Sequence, residues 1–311
     1  VTAHRLADRI RADVLRSRAV ELGRERGLNR PGIALVTGVA TIVDGLMTLV
    51  AYLVVWLESS LGWVIDAALV PLALALALPY VGRAVAWVLS IVQTLLWAIV
   101  ASPDGLLAVI GILPEKRLRV QVLLAAEADE GTRTKMLQAL DVAAQIYRRE
   151  ANVRLMAAVP WAFRGAFSAP AAPTRDWLGE GDPGTSRLDV GCAVKAASED
   201  IGRLGGTYAW RMLRRHLFGV ARRILGAGAP IVIFPVHSVD EGRLVGCSLG
   251  PLTDYVTVAI DRPVCVAHEL GHACNLLHVS YSDNMMNPTC GGVHLTRWQV
   301  VLVRLSRHVS Y

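Results

Sequence analysis

The sequence predicts an α+β fold in two parts, about three N-terminal transmembrane helices followed by one globular domain of strands and helices. Three observations lead there. The chain is 53% hydrophobic with a mean hydropathy of +0.42, above the ordinary range for a soluble protein. The excess lies in long, nearly uncharged stretches before residue 102, each of a length that suits a membrane helix. From residue 115 onward, short β-branched runs alternate with helical periodicity, and all five cysteines fall in that part.

Residues 1–32 form a basic segment in which Leu6, Ile10 and Val14 recur at helical spacing among Arg5, Arg9, Arg11, Arg16 and Arg18. This pattern suits an amphipathic helix against an anionic membrane face. Residues 33–114 read as the transmembrane region. The first apolar stretch, 33–57, carries a single charge, Asp44; the second, 61–80, contains Asp66 and Pro71; the third runs over 84–101. Pro79, Gly82 and Arg83 suit a tight connection between the last two. The Arg-rich start belongs on the cytoplasmic side by the distribution of positive charge, so three crossings carry the following domain outside. Lys116, Arg117 and Arg119 run against that orientation as positive charges near the outer surface. The expected location is the plasma membrane, multi-pass, with the lipid bilayer as a partner and residues 115–311 extracytoplasmic.

Within 115–311, residues 120–124 read as a strand. Met136, Leu140, Ala143 and Tyr147 then share one helix face, and 153–157 forms a returning strand. A Pro- and Gly-rich stretch over 160–191 reads as an irregular loop, and 199–225 as a helix with Trp210, Leu213, Leu217 and Val220 inward. Strands follow at 231–234 and 255–260, with an edge strand between them at 243–250. Pro263 opens a helix near 266, and a C-terminal helix begins at Leu295 to Gln299. The net charge of +6 accompanies no nucleic-acid module, so nucleic acid is not an expected partner. In an oxidising compartment the cysteines allow up to two disulfides with one thiol left over; their spacing leaves the pairing open. Nothing in the chain speaks to oligomeric state.

The chemistry concentrates in Val266-Ala267-His268-Glu269-Leu270-Gly271-His272-Ala273-Cys274-Asn275-Leu276-Leu277-His278. Residues four apart on a helix lie one above the other, so His268 and His272 can present two imidazoles to one metal ion. Glu269 stands beside them, placed to hold a water on that metal. His278 lies six residues beyond His272, off the face of a straight helix, so the chain must turn. Asn275 is the turning point, since after Gly it most readily accepts the left-handed backbone that ends a helix. Three neutral His ligands leave a fourth tetrahedral position for water, the arrangement of a catalytic zinc.

A second feature follows in Ser282-Asp283-Asn284-Met285-Met286-Asn287-Pro288. With it the sequence resembles the metzincin clan of zinc metallopeptidases, whose motif is His-Glu-x-x-His-x-x-Gly-x-x-His followed by a tight turn carrying a Met beneath the metal. The resemblance assigns His268, His272 and His278 as zinc ligands, Glu269 as general base and Met286 as the Met-turn residue. Asn275 replaces the clan's Gly, and Pro288 stands where some families carry a Tyr. The likeness is specific over 266–288, weaker over 115–311 and absent from the first hundred residues. It implies a zincin domain with a mixed β-sheet, an active-site helix, Zn2+ as cofactor, and a polypeptide substrate bound along an edge strand. Site-2-type proteases offer another reading through Val43-Asp44-Gly45, but there the Asp-Gly lies downstream of the His pair, and His278 already fills the third place. The expectation is a membrane-anchored zinc metalloendopeptidase. The alternatives are a non-catalytic membrane protein with a structural zinc site and a zinc amidase acting on a non-peptide bond.

Overall fold

The computed structural model describes residues 81–125, 128–157, 177–180, 187–190, 228–248 and 254–311, with isolated positions between 31 and 74 and at 173, 204 and 226. The basic segment 1–30, most of the first two apolar stretches and nearly all of the helix expected over 199–225 lie outside the described residues.

Helix α1 (Val81–Val100) takes up the third apolar stretch, and α2 (Ser102–Val109) continues it after a bend of 57°. Pro103 lies in the first turn of α2. It lacks an N–H for the carbonyl four residues back, and its ring would strike that carbonyl, so one straight helix cannot run through this point. Among the described residues no single helix is long and apolar enough to cross a membrane, although α1 and α2 meet that test together as a bent pair. The expectation of about three N-terminal transmembrane helices is therefore unsupported by the described residues.

A seven-stranded mixed sheet is built around β1 (Lys116–Leu124). β2 (Val153–Ala157), β3 (Leu178–Glu180) and β5 (Ile231–Val236) pair parallel to β1. A separate two-stranded sheet joins β4 (Asp189–Val190) to β6 (Ser238–Val239). The main sheet continues with β8 (Tyr255–Ala259), parallel to β5, and ends at β7 (Gly246–Ser248), antiparallel to β8. β9 (Val309–Ser310) returns antiparallel to the start of β1. The mixed sheet and the edge strand between 243 and 250 are thus as the sequence led one to expect. Within the Pro- and Gly-rich stretch, expected as an irregular loop, the described residues include the short strands β3 and β4. β3 pairs with Val122 to Leu124, where the register of β2 has ended. The open ladder of β1 overrides the local composition there.

Helix α3 (Glu130–Ala151) makes the crossover between β1 and β2. Asp129 caps its start by accepting from the Thr132 amide at 2.6 Å, and Asn152 ends it in the left-handed conformation at φ 50°. Met136, Leu140, Ala143 and Tyr147 are all fully buried, the face that the periodicity predicted. Each large side chain of that kind contributes about 1.5–3 kcal/mol by leaving water. Ala108 of α2 and Leu113 belong to the same core as β1 and α3, so the helix pair is packed into the domain. Lys116 and Arg117 are buried in β1.

Candidate metal centre

A 3-10 turn, Pro263–Cys265, leads into α4 (Val266–Ala273). Its face toward α3 is pinned where the Tyr147 hydroxyl donates to the Ala267 carbonyl at 3.2 Å. Its other side lies under β7 and β8. A β-carbon at Gly246 would come within 2.6 Å of Glu269 Cδ, so the edge strand passes directly over that carboxylate. A β-carbon at Gly271 would strike the Met286 sulfur, so glycine there lets the fully buried Met286 pack against the helix between the two His turns.

Asn275 adopts φ 73° and turns the chain, as expected. The Asn275 amide donates to His272 O and the Leu276 amide to Gly271 O, each at 3.0 Å, closing the last turn. This reversal brings His278 back over the helix. The Nε2 atoms of His268, His272 and His278 stand 3.0–3.1 Å from one another. A tetrahedral ion with bonds of about 2.0–2.1 Å has ligand-to-ligand edges of about 3.3 Å, so the triad matches such an ion closely.

The tautomers point the same way. His268 Nδ1 faces the Met285 carbonyl and His272 Nδ1 faces the Leu276 carbonyl, both at 2.9 Å. A carbonyl oxygen only accepts, so both rings carry their proton on Nδ1 and turn an Nε2 lone pair inward. Two lone pairs facing each other at 3.1 Å repel until a cation sits between them. The residues present therefore fit a divalent metal of the zinc kind: three imidazoles, two of them oriented by carbonyl partners, with His278 exposed so that the remaining side is open to solvent.

Burial holds the His268 imidazole down to about 4, and lowers His272 as well, so both stay neutral and ready to ligate. Glu269 is 3% exposed, and its Oε2 has no hydrogen-bond partner among the described residues. Burial alone raises its carboxyl from 4.5 to about 8 in the metal-free protein. A group that holds its proton more tightly folded than unfolded makes the folded state less stable as pH rises between those values. In metal-free protein this carboxyl accordingly subtracts stability as pH rises from 4.5 to 8, against the gain up to about 6.5 that the lowered His268 and His272 supply. Glu269→Gln is expected to remove that subtraction, leaving the variant with the more positive slope. Melting curves of chelator-treated wild type and variant across that range check it, and equal slopes would refute it.

Beneath the triad, the turn carrying Met286 is held by groups the sequence did not single out. Asn284 and Gln299 exchange side-chain hydrogen bonds at 2.7 and 3.1 Å, and the Met286 amide donates to Asn284 Oδ1 at 2.9 Å. Gln299 also accepts from the Thr296 amide, completing the capping box that starts α5 (Arg297–Leu305). The Thr-x-x-Gln spacing is a legible signal for the cap, though not for the partner across the fold. Cys265, at the start of α4, is disulfide-bonded to Cys290, just beyond the Met-turn, so the metal helix and the turn are covalently tied. Cys247 on β7 is disulfide-bonded too, and among the described residues Cys274 is the free thiol, buried at the end of α4. The chain matches no protein-family model and no curated protein.

Proposed function

We propose that this protein is a membrane-anchored zinc metalloendopeptidase with an extracytoplasmic catalytic domain. The observation that carries the reading is the convergence of three Nε2 lone pairs beside a buried carboxylate oxygen that has no hydrogen-bond partner among the described residues. A structural site needs its ligands and no idle carboxylate; a hydrolytic one needs a base next to the metal. When bound, zinc supplies Lewis acidity, which polarises a carbonyl and acidifies a water. Glu269 accepts the proton of the attacking water and passes it to the departing amine nitrogen, as a base one residue from His268 is placed to do. Met286 has no chemical step; it supports α4 from below. The sharing of these roles with the metzincin pattern supports peptide as the substrate class, and β7 offers the edge along which an extended peptide would pair. The Cys265–Cys290 disulfide supports an oxidising compartment. The apolar stretches over 33–57 and 61–80 support the anchor.

The test is metal analysis of the purified full chain, followed by incubation with a broad peptide mixture before chelation, after chelation and after zinc is returned. One ion per chain, with cleavage lost on chelation and regained with zinc, is the expected result. Metal-loaded protein that cleaves no peptide would overturn the reading.

A further inference from the structure

The α1–α2 pair has two unlike faces. Ser90, Gln93, Asp104 and Ala108 are buried on one side. There the Arg307 guanidinium donates to Gln93 Oε1 at 2.9 Å while also pairing with Asp254, and Arg304 grips Asp104. The opposite side exposes Val88, Val92, Leu95, Ile99, Leu106 and Ile110, between 45% and 70% each. Between Val81 and Val109 the only charged residues are Arg83 and Asp104, and Asp104 is buried against the domain.

A helix cannot be both docked on a globular domain and surrounded by lipid over the same length. Among the described side chains of α1, Ser90 is already buried against the domain, so a crossing by α1 could use at most Val81 to Leu89, about 13 Å of helix against about 30 Å of hydrocarbon. A deeper crossing would draw the Arg307–Asp254 pair to bilayer depth. The remaining geometry is in-plane. The preceding chain delivers two apolar stretches, 33–57 and 61–80, to the start of α1, and Leu35, Ile42, Leu46 and Leu49 there are themselves exposed. We infer that the α1–α2 pair lies in the plane of the bilayer surface, its outer apolar face in the acyl boundary and its inner polar face bolted to the domain. The domain then rests against the membrane instead of hanging from a flexible tether, and its substrate is a polypeptide segment held close to the lipid. The inference rests on the membrane-anchored part of the reading above.

The experiment uses the full chain reconstituted into phosphatidylcholine–phosphatidylglycerol vesicles and first tested for flotation with them. A nitroxide is then placed singly at Val88, Val92, Leu95, Ile99, Leu106 and Ile110, and its collisions with oxygen and with a water-soluble nickel chelate are compared. Expected is one uniform depth, about 5–10 Å below the headgroups, at all six positions. A depth that passes through the midplane along α1 would establish a crossing and overturn the placement. So would free access of nickel, meaning that the face meets water, or shielding from both reagents, meaning that a second copy or residues 33–80 cover it. Failure to float removes the anchor itself. Peptide cleavage by the same samples reports separately on the hydrolase, which can fail while the depth pattern stands.

Discussion

Glu269→Gln is expected to retain one metal ion per chain and to lose peptide cleavage by about 10²–10⁴-fold, the usual weight of a positioned general base. Gln has the same size and fills the same buried space beneath Gly246, so the fold and the triad need not move. What disappears is proton acceptance. In the wild type the carboxylate is 3% exposed, and its Oε2 has no hydrogen-bond partner among the described residues. Leaving a buried carboxylate oxygen unpaired costs on the order of 1–3 kcal/mol or more, which is hard to account for unless the oxygen meets something during turnover. A bound cation at the His triad would also favour the ionised form and draw the Glu269 carboxyl down from about 8, toward the range where a base works at neutral pH. Two outcomes would sink the assignment. Full activity in the variant would mean that water is activated elsewhere. Loss of the metal would make Glu269 a ligand rather than a base. Metal content and cleavage must therefore be measured on the same preparation.

Asp104→Ala is expected to destabilise the full chain by about 3–5 kcal/mol, the cost typical of leaving buried charge uncompensated. Arg304 is wholly buried and grips Asp104 with Nε at 2.9 Å and Nη2 at 2.6 Å. Its remaining donors reach the carbonyls of Ala151 and Pro114 at 2.8 and 2.9 Å. Lys116 Nζ lies 3.2 Å from the same carboxylate and 4.8 Å from the centre of the Tyr311 ring, and the Tyr311 hydroxyl donates to Asp104 at 2.5 Å. One carboxylate thus holds two cations and a phenol. Burial already brings the Lys116 ammonium down to about 8, and Asp104 is what opposes that shift. Without it, Arg304 keeps its charge with no counter-ion. The drop in melting temperature should be on the order of 10 °C. A fall of less than a degree or two would show that α2 does not anchor the domain in this way. Cleavage by whatever fraction remains folded should persist, because the triad is built on α4 and the turn that follows it.

How much of this was legible in the sequence depends on the distance over which each feature is decided. β2, β5 and β8 lie where their β-branched runs stood, and α3 buried the face that its periodicity marked, because both patterns are local consequences of backbone period. The short strands within 160–191 escape local reading for the same reason in reverse. The composition there favours irregular backbone, yet β3 gains a partner in β1 more than fifty residues away. Lys116 and Arg117 entered the sequence reading only as positive charges against the orientation, and their burial, with Asp104 beside Lys116, was not legible from local pattern. The third apolar stretch reads as a crossing by hydropathy, and among the described residues its helix meets that test only together with α2, as a bent pair.

The sequence by itself determined the His triad. His268 and His272 are one helical turn apart, and the left-handed turn at Asn275 returns His278 within six residues, so three imidazoles meet through short-range geometry alone. Only the tertiary structure decided what holds the turn beneath that triad and the domain around it. The Asn284–Gln299 amide pair, the Cys265–Cys290 bond and the carboxylate of Asp104 beneath Arg304 join positions 15, 25 and 200 residues apart. Pairings at that range are selected by the packed fold as a whole, since each requires the chain between the partners to be folded already, and no local pattern of residue types encodes it.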